Sequence, residues 1–402
     1  MAGSERTRER MMLATLFATW GVVFLDRMAL LYLAPYIAAD LRLDAAQIGM
    51  LAAAVSVCWA LSALIFGAVS DRVGRKAVLV PMVLLFSVLS GVSGLARNFE
   101  QLLLARALMG IAEGPCWSVM MALVEENSPP IHRGRNIGIV VTAAAIIGLA
   151  VAPVLTTQVA AHLGWRAAFF VAGAPGLVLA ALIALFVREH PGASGARAAR
   201  RPSAADWRAL LGSRNLWASA VGAAGFMSWL FLVSTFAPLY ITRVEHLPPT
   251  TAGFLMGAAG LGSFFIGLLG PALSDRYGRR PVLAAQALLS VFLPLALLTH
   301  ALYGALWLLA GVLFLTQTGQ AISAVCVVLV PTESVPKNLA ATAIGFTTMF
   351  GEIVGGFLAP MAAGVLAERH GLGVPLWMAA AGAVVVFLAA LAMRPSTGVR
   401  HS

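Results

Sequence analysis

Apolar runs of about 20 residues, the length that carries a helix across a bilayer core, recur along the whole chain. They cover approximately 11–33, 46–69, 77–95, 101–123, 137–160, 167–187, 215–241, 251–273, 282–300, 305–330, 339–366 and 375–393, with short charged breaks between them. This pattern predicts twelve transmembrane helices and an all-α membrane protein. Composition agrees: only 11% of the 402 residues are charged and 60% are hydrophobic, whereas soluble domains carry roughly a quarter charged residues. A soluble enzyme and a disordered chain are both disfavoured.

The formal net charge of +10 would suggest a nucleic-acid partner in a soluble domain. Here Lys and Arg cluster in the breaks between apolar runs, so the charge is read as topology and not as a nucleic-acid surface. With the N-terminus inside, the cytoplasmic segments hold 20 of the 27 basic residues; five face outward and two, Arg27 and Arg106, lie within spans. Both termini are therefore expected in the cytoplasm. The longest polar segment, 188–214, divides the spans six and six. It reads as a linker between an N-terminal bundle, 1–187, and a C-terminal bundle, 215–402. The three cysteines fall inside apolar runs, and neither a disulfide framework nor a metal site is indicated.

Two six-helix halves share one plan. Ser70-Asp71-Arg72-Val73-Gly74-Arg75-Lys76 recurs 204 residues later as Ser274-Asp275-Arg276-Tyr277-Gly278-Arg279-Arg280, while Glu126, Pro129, Gly138 and Ala152-Pro153 recur at an offset of 207 as Glu333, Pro336, Gly345 and Ala359-Pro360. Because six is even, both copies start on the same side, so the repeat is parallel and substrate is expected near the midplane between the halves. Gly67 with Asp71, Arg72, Gly74, Arg75 and Lys76 resembles the signature loop of the major facilitator superfamily, and the resemblance covers essentially the whole chain. The second copy has Pro271 where the first has Gly67. Physically, Gly74 and Gly278 permit a tight turn. Asp71 and Asp275 with their basic neighbours Arg276, Arg279 and Arg280 can make charge-assisted contacts that break and reform as the halves rock. A basic loop serving topology alone is the alternative.

Ionisable groups inside spans are expensive and are functional candidates. Asp26 and Arg27 interrupt the first span, which must run through them to about Leu33 to cross the bilayer core; the alternative is a helix end at the interface with a snorkelling arginine. Arg106 and Glu113 stand seven apart on one face of the fourth span, with Gly110 between them expected to leave room for a ligand. The alternative for this set is a structural ion-pair network. Glu352 lies mid-span in helix eleven, where it would bind a substrate hydroxyl, carry a proton or pair with an arginine. Gln317 and Gln320 on helix ten suit hydroxyl or carboxylate recognition, and Trp229 and Trp117, with Phe226 and Ser228, are candidate cavity-lining groups. The alternatives are a buried, neutral, hydrogen-bonded acid for Glu352, interhelical hydrogen bonding for the two glutamines and packing for the cavity-lining candidates.

Leu25-Asp26-Arg27 followed by Ala34-Pro35-Tyr36-Ile37, the Arg106-x6-Glu113 helix and Gly164-Trp165-Arg166 resemble the anion:cation symporter family, which includes bacterial galactonate and hexuronate transporters. That resemblance implies that Asp26 and Glu113 are proton-coupling groups and that Arg27 and Arg106 bind the anion or couple helices. Trp59 stands where the family commonly has Tyr. Elementary chemistry points the same way: low dielectric favours a neutral carboxyl and a neighbouring arginine favours an ionised one, so an anion that engages the arginine drives proton uptake. The expectation is a monomeric transporter of the bacterial inner membrane, importing a small organic anion such as a sugar acid or other carboxylate with protons. Its partners are substrate, protons and the lipid bilayer; no cofactor or metal is called for. A drug or metabolite efflux antiporter of the same fold is the alternative.

Overall fold

The computed structural model describes residues 2–129, 132–187, 208, 210–336 and 339–394, apart from the side chains of 2–8, 64, 68, 71 and 341. Among these residues twelve helices are long and apolar enough to span a membrane. They are α1 (Glu9–Asp40), α2 (Ala45–Gly67), α3 (Arg75–Leu95), α4 (Phe99–Asn127), α5 (Arg133–Leu163), α6 (Trp165–Phe186), α7 (Arg214–Arg243), α8 (Pro249–Tyr277), α9 (Arg279–Leu298), α10 (Leu306–Glu333), α11 (Thr342–His370) and α12 (Gly373–Ala392). Each overlaps one apolar run, and no strand occurs among the described residues.

Packing divides the chain into two compact units, Met1–Leu43 with Ala54–Arg200, and Asp44–Ala53 with Arg201–Ser402. Residues 44–53 therefore group with the second unit, where the Ala45 N–H donates to a Glu368 carboxylate oxygen at 2.5 Å. The expected linker, 188–214, lies outside the described residues except for 208 and 210–214.

Helix boundaries follow local chemistry. Asn98 caps α4 by accepting from the Gln101 N–H at 2.9 Å, and Ser213 caps α7 by accepting from Leu216 N–H. Both signature loops turn at glycine: Gly74 has φ 109° and Gly278 φ 95°, a region where a side chain collides with backbone. Inside the first unit Arg75 donates to Ser70 Oγ at 2.8 Å and pairs with Glu126 at 3.4 Å. Inside the second, Arg279 donates to Ser274 Oγ at 2.6 Å and pairs with Glu333 at 2.8 Å and with Asp275. Lys76 donates to the Ala184 carbonyl, whereas Arg72 and Arg276 are exposed. The side chain of Asp71 lies outside the described ones.

Three spans are not uniform α-helices. α5 widens into a π-helical segment at Ala144–Val151 and α11 does so at Glu352–Leu358, both just before the repeated Ala-Pro pair. Proline has no N–H and cannot continue the α ladder, which favours a register change at that point. α10 is broken: an α segment ends at Thr316, Gln317 and Thr318 are non-helical, a short turn follows at Gly319–Ile322, and Ser323–Leu329 is π-helical.

Candidate functional site

The first unit gathers its buried charges around α1. Consecutive residues on a helix point about 100° apart, and Asp26 and Arg27 accordingly meet different neighbours. Asp26 turns to α3 and α4. Its Oδ2 accepts from Arg106 Nη1 at 3.2 Å, its Oδ1 accepts from the Ser90 hydroxyl, and its backbone carbonyl accepts from Arg106 Nη2 at 3.4 Å. Asp26, Arg106 and Ser90 are all fully buried. Arg27 turns to α2, where it donates to Ser56 Oγ at 3.2 Å and lies 4.2 Å above the centroid of Trp59. Arg106 sits 5.8 Å from the Phe169 ring of α6. The expected continuation of the first helix through the pair is what the structure shows; neither residue stands at a helix end.

Glu113, two turns along α4 from Arg106, is fully buried, and no N–H or hydroxyl group of the described residues donates to its carboxylate. Asp26, Arg106 and Arg27 nevertheless lie within electrostatic range of it. The site thus holds two carboxyls and two guanidiniums, the Asp26 carboxyl bonded to Arg106 and Ser90 and the Glu113 carboxyl placed beside that of Asp26. The space beside Gly110 is not open to a ligand: a methyl there would lie 2.5 Å from the Val55 carbonyl and 3.1 Å from Trp59 N. Gly110 instead lets α2 approach α4, which brings Trp59 under Arg27, as small residues do at membrane helix contacts.

Trp117 is half-buried on α4 with its ring 4.8 Å from that of Trp20, and Trp20 in turn lies 6.2 Å from Trp59. Three tryptophans therefore form a row of ring contacts that reaches the charged cluster at Trp59. Trp20, Ser56 and Ser90 were not singled out from the sequence. The available signal for Ser90 was the row Ser87, Ser90 and Ser93 at helical spacing in an otherwise apolar span, all three buried.

In the second unit the candidate groups collect at the break in α10. Gln317 Oε1 accepts from the Gly319 N–H at 3.2 Å, Thr318 Oγ1 donates to the Gln286 carbonyl at 2.9 Å, and Thr318 and Ser290 hydroxyls are bonded to each other. Gly319 abuts the rings of Phe226 and Trp229. Trp229 is fully buried with its indole N–H committed to the Ser290 carbonyl at 3.0 Å. Gln320 is half-buried, one turn further on and packed against Gly267. Glu352 is buried at the first position of the α11 π segment.

Residues 16–360 match the family described as Major Facilitator Superfamily. A probable 4-methylmuconolactone transporter of Cupriavidus pinatubonensis is 28% identical over 376 residues, covering 89% of this chain and 83% of that protein. A probable L-galactonate transporter of Escherichia coli is 30% identical over 280 residues, 64% of this chain and 60% of that one. Among solved structures, the inward-facing, unoccupied bacterial homologue of the human lysosomal transporter Spinster superposes with a TM-score of 0.75 at 20% identity, covering 96% and 97% of the two chains. These similar proteins are membrane transporters and not enzymes, and the two relatives are named for organic acids.

Proposed function

Since the chain belongs to the major facilitator superfamily, we propose that it is a secondary transporter that imports a small organic anion, a sugar acid or other carboxylate, together with protons by alternating access. The observation that carries this reading is the buried ion pair Asp26–Arg106 with a second guanidinium, Arg27, and a second carboxyl, Glu113, beside it. Such groups in a membrane interior are retained for ion or substrate pathways.

The roles follow from the contacts. Arg27, spread over the Trp59 ring and tethered by Ser56, presents a planar, permanently charged donor fork suited to a carboxylate. Arg106 holds the ionised Asp26. A substrate anion that takes a share of the guanidinium charge loosens that hold and leaves Asp26 to be neutralised by a proton. Glu113, buried with its carboxyl beside that of Asp26, is the other proton carrier. Gln317, Gln320, Glu352, Trp117 and Trp229 are the remaining substrate-binding candidates; Trp229 acts through position, since its N–H is already used. The bundles are 1–187 and 215–402 joined by 188–214, the protein works as a monomer in the bacterial inner membrane, and both termini are cytoplasmic. The loops at Gly74 and Gly278, with Arg75–Glu126 and Arg279–Glu333, serve as the contacts that change during the cycle.

The test is reconstitution in liposomes with a pH-sensitive dye inside and a panel of sugar acids, unsaturated and aromatic carboxylates and cationic drugs outside. Internal acidification by one carboxylate class, lost in Asp26→Asn and Glu113→Gln, supports the reading. Proton exchange driven only by a cationic drug replaces it with the efflux alternative.

A further inference from the structure

The environment of Asp26 contains one group whose chemistry the ion pair does not use. Ser90 Oγ lies within hydrogen-bond range of two acceptors at once, Asp26 Oδ1 and the Phe169 carbonyl of α6, the latter at 2.8 Å. A hydroxyl has a single hydrogen and two lone pairs. It therefore serves one of these acceptors while Asp26 is ionised. If Asp26 carries the proton, Ser90 Oγ can accept from it and donate to the Phe169 carbonyl at the same time. The close approach that makes this possible is built in: a methyl on Gly173 of α6 would lie 2.6 Å from Ser90 Cβ, so only glycine lets Ser90 reach the Phe169 carbonyl.

We infer that Ser90 is a positioning residue for proton uptake at Asp26, a hydroxyl that turns with the charge of the carboxyl. In the ionised state Ser90 O–H donates to Asp26 Oδ1. The incoming proton binds Oδ1, because the Ser90 hydroxyl there can turn from donor to acceptor, whereas Arg106 Nη1 at Oδ2 can only donate. The new Asp26 O–H then donates to Ser90 Oγ, and the Ser90 hydrogen swings to the Phe169 carbonyl. One O–H bond forms, no heavy atom leaves its place, and Asp26 Oδ1 and Ser90 Oγ keep each other as partners in both states, while the Phe169 carbonyl, inside helix α6, gains the Ser90 hydrogen only in the second; no group is orphaned. Apart from this hydroxyl and carbonyl, the groups that face Asp26 are Arg106 and Glu113 of α4. α3 and α6 add no charge there, so the rotor on their side is the neutral counterpart of the ion pair on the other. This inference deepens the proton-coupled reading and rests on it for its consequence in transport.

The experiment compares wild type, Ser90→Ala and Ser90→Cys in liposomes, with Asp26→Asn as the reference. Cysteine fills the volume of serine but is a weak donor and acceptor. Both Ser90 variants should keep substrate counterflow near the wild-type rate while accumulation driven by a pH gradient falls about tenfold, the scale of one hydrogen bond to a charged group. A packing role predicts instead that Ser90→Cys behaves as wild type, which would overturn the inference. A second readout is independent of transport: infrared difference spectra between low and high pH should contain a protonated-carboxyl band that vanishes in Asp26→Asn and shifts in both Ser90 variants. A band that stays in place in those variants, or no Asp26 band at any pH, overturns the inference. If the band shifts as expected but Asp26→Asn still accumulates substrate against its gradient, the rotor stands and the proton-symport reading falls.

Discussion

The two units use the same frame for opposite chemistry. Under the repeat offset of 204, Asp26 and Arg27 of α1 correspond to Leu230 and Phe231 of α7; under the offset of 207, Arg106 and Glu113 of α4 correspond to Leu313 and Gln320 of α10. The first unit is ionic where the second is apolar or amide. The backbone differs in the reverse sense. α4 is helical throughout, while α10 opens at Gln317–Thr318. Where charged side chains supply the polar chemistry, the helix carrying them stays closed. Where they are absent, the opened backbone and its capping side chains supply it, with Gln317 accepting from the Gly319 N–H and Thr318, Ser290 and the Gln286 carbonyl satisfying one another. Non-helical backbone is tolerated at membrane depth only under such compensation.

Exchanging the chemistry between counterparts tests this division. The largest effect is expected from Arg106→Leu, which copies Leu313 into the first unit. It strips Asp26 of its buried cation and should cost about 3–5 kcal/mol, read as a loss of thermal stability in detergent. The double variant Asp26→Leu with Arg106→Leu should recover much of that loss, and equal instability of single and double would deny that the pair is coupled. Next comes Glu113→Gln, which copies Gln320. It should keep counterflow and lower pH-driven accumulation by about a hundredfold, the lower range for removal of a proton-transfer group; undiminished accumulation would remove Glu113 from the proton path. Trp59→Leu takes away the ring beneath Arg27. At about 1 kcal/mol for a partly desolvated cation–π contact, the KM for the anion should rise several-fold with the maximal rate unchanged. The smallest effect on anion affinity is predicted for Gly74→Ala and Gly278→Ala, whose positive φ with extended ψ makes each cost about 1–3 kcal/mol of stability. Here the two units should respond alike, and a strong asymmetry in melting temperature would show that the loops are not equivalent.

Much of this architecture was legible in the sequence because its cause is compositional. Spans of apolar residues, basic breaks and a repeated glycine turn leave marks that survive without coordinates. The charged cluster was legible for a related reason: Asp26, Arg27, Arg106 and Glu113 stand out against an apolar background, and seven-residue spacing puts the last two on one face. Ser90 and Ser56 were not, because a serine in a membrane helix usually bonds its own preceding turn and only the neighbouring helix reveals another partner. Gly110 was misread as ligand space since the sequence does not say which backbone fills the gap; Val55 and Trp59 fill it. The opening of α10 was hidden as well. Gln317 and Thr318 do not break helices by propensity, and the span stays apolar enough to read as continuous.

The wide turns before Pro153 and Pro360 have a genetic corollary. A π turn closes its hydrogen-bonded ring with one residue more than an α turn, so removal of a single codon within Ala144–Val151 or Glu352–Leu358 can be absorbed by reversion to α-helix without interrupting the crossing. The faces are then nearly kept, because the residue lost is the extra one that the wide turn holds; the same deletion in a uniform α-helix would turn one side by about 100° relative to the other. In-frame deletions in these two segments should therefore yield proteins that still insert, with the faces of α5 and α11 better preserved than after a deletion in an α-helical stretch of the same spans.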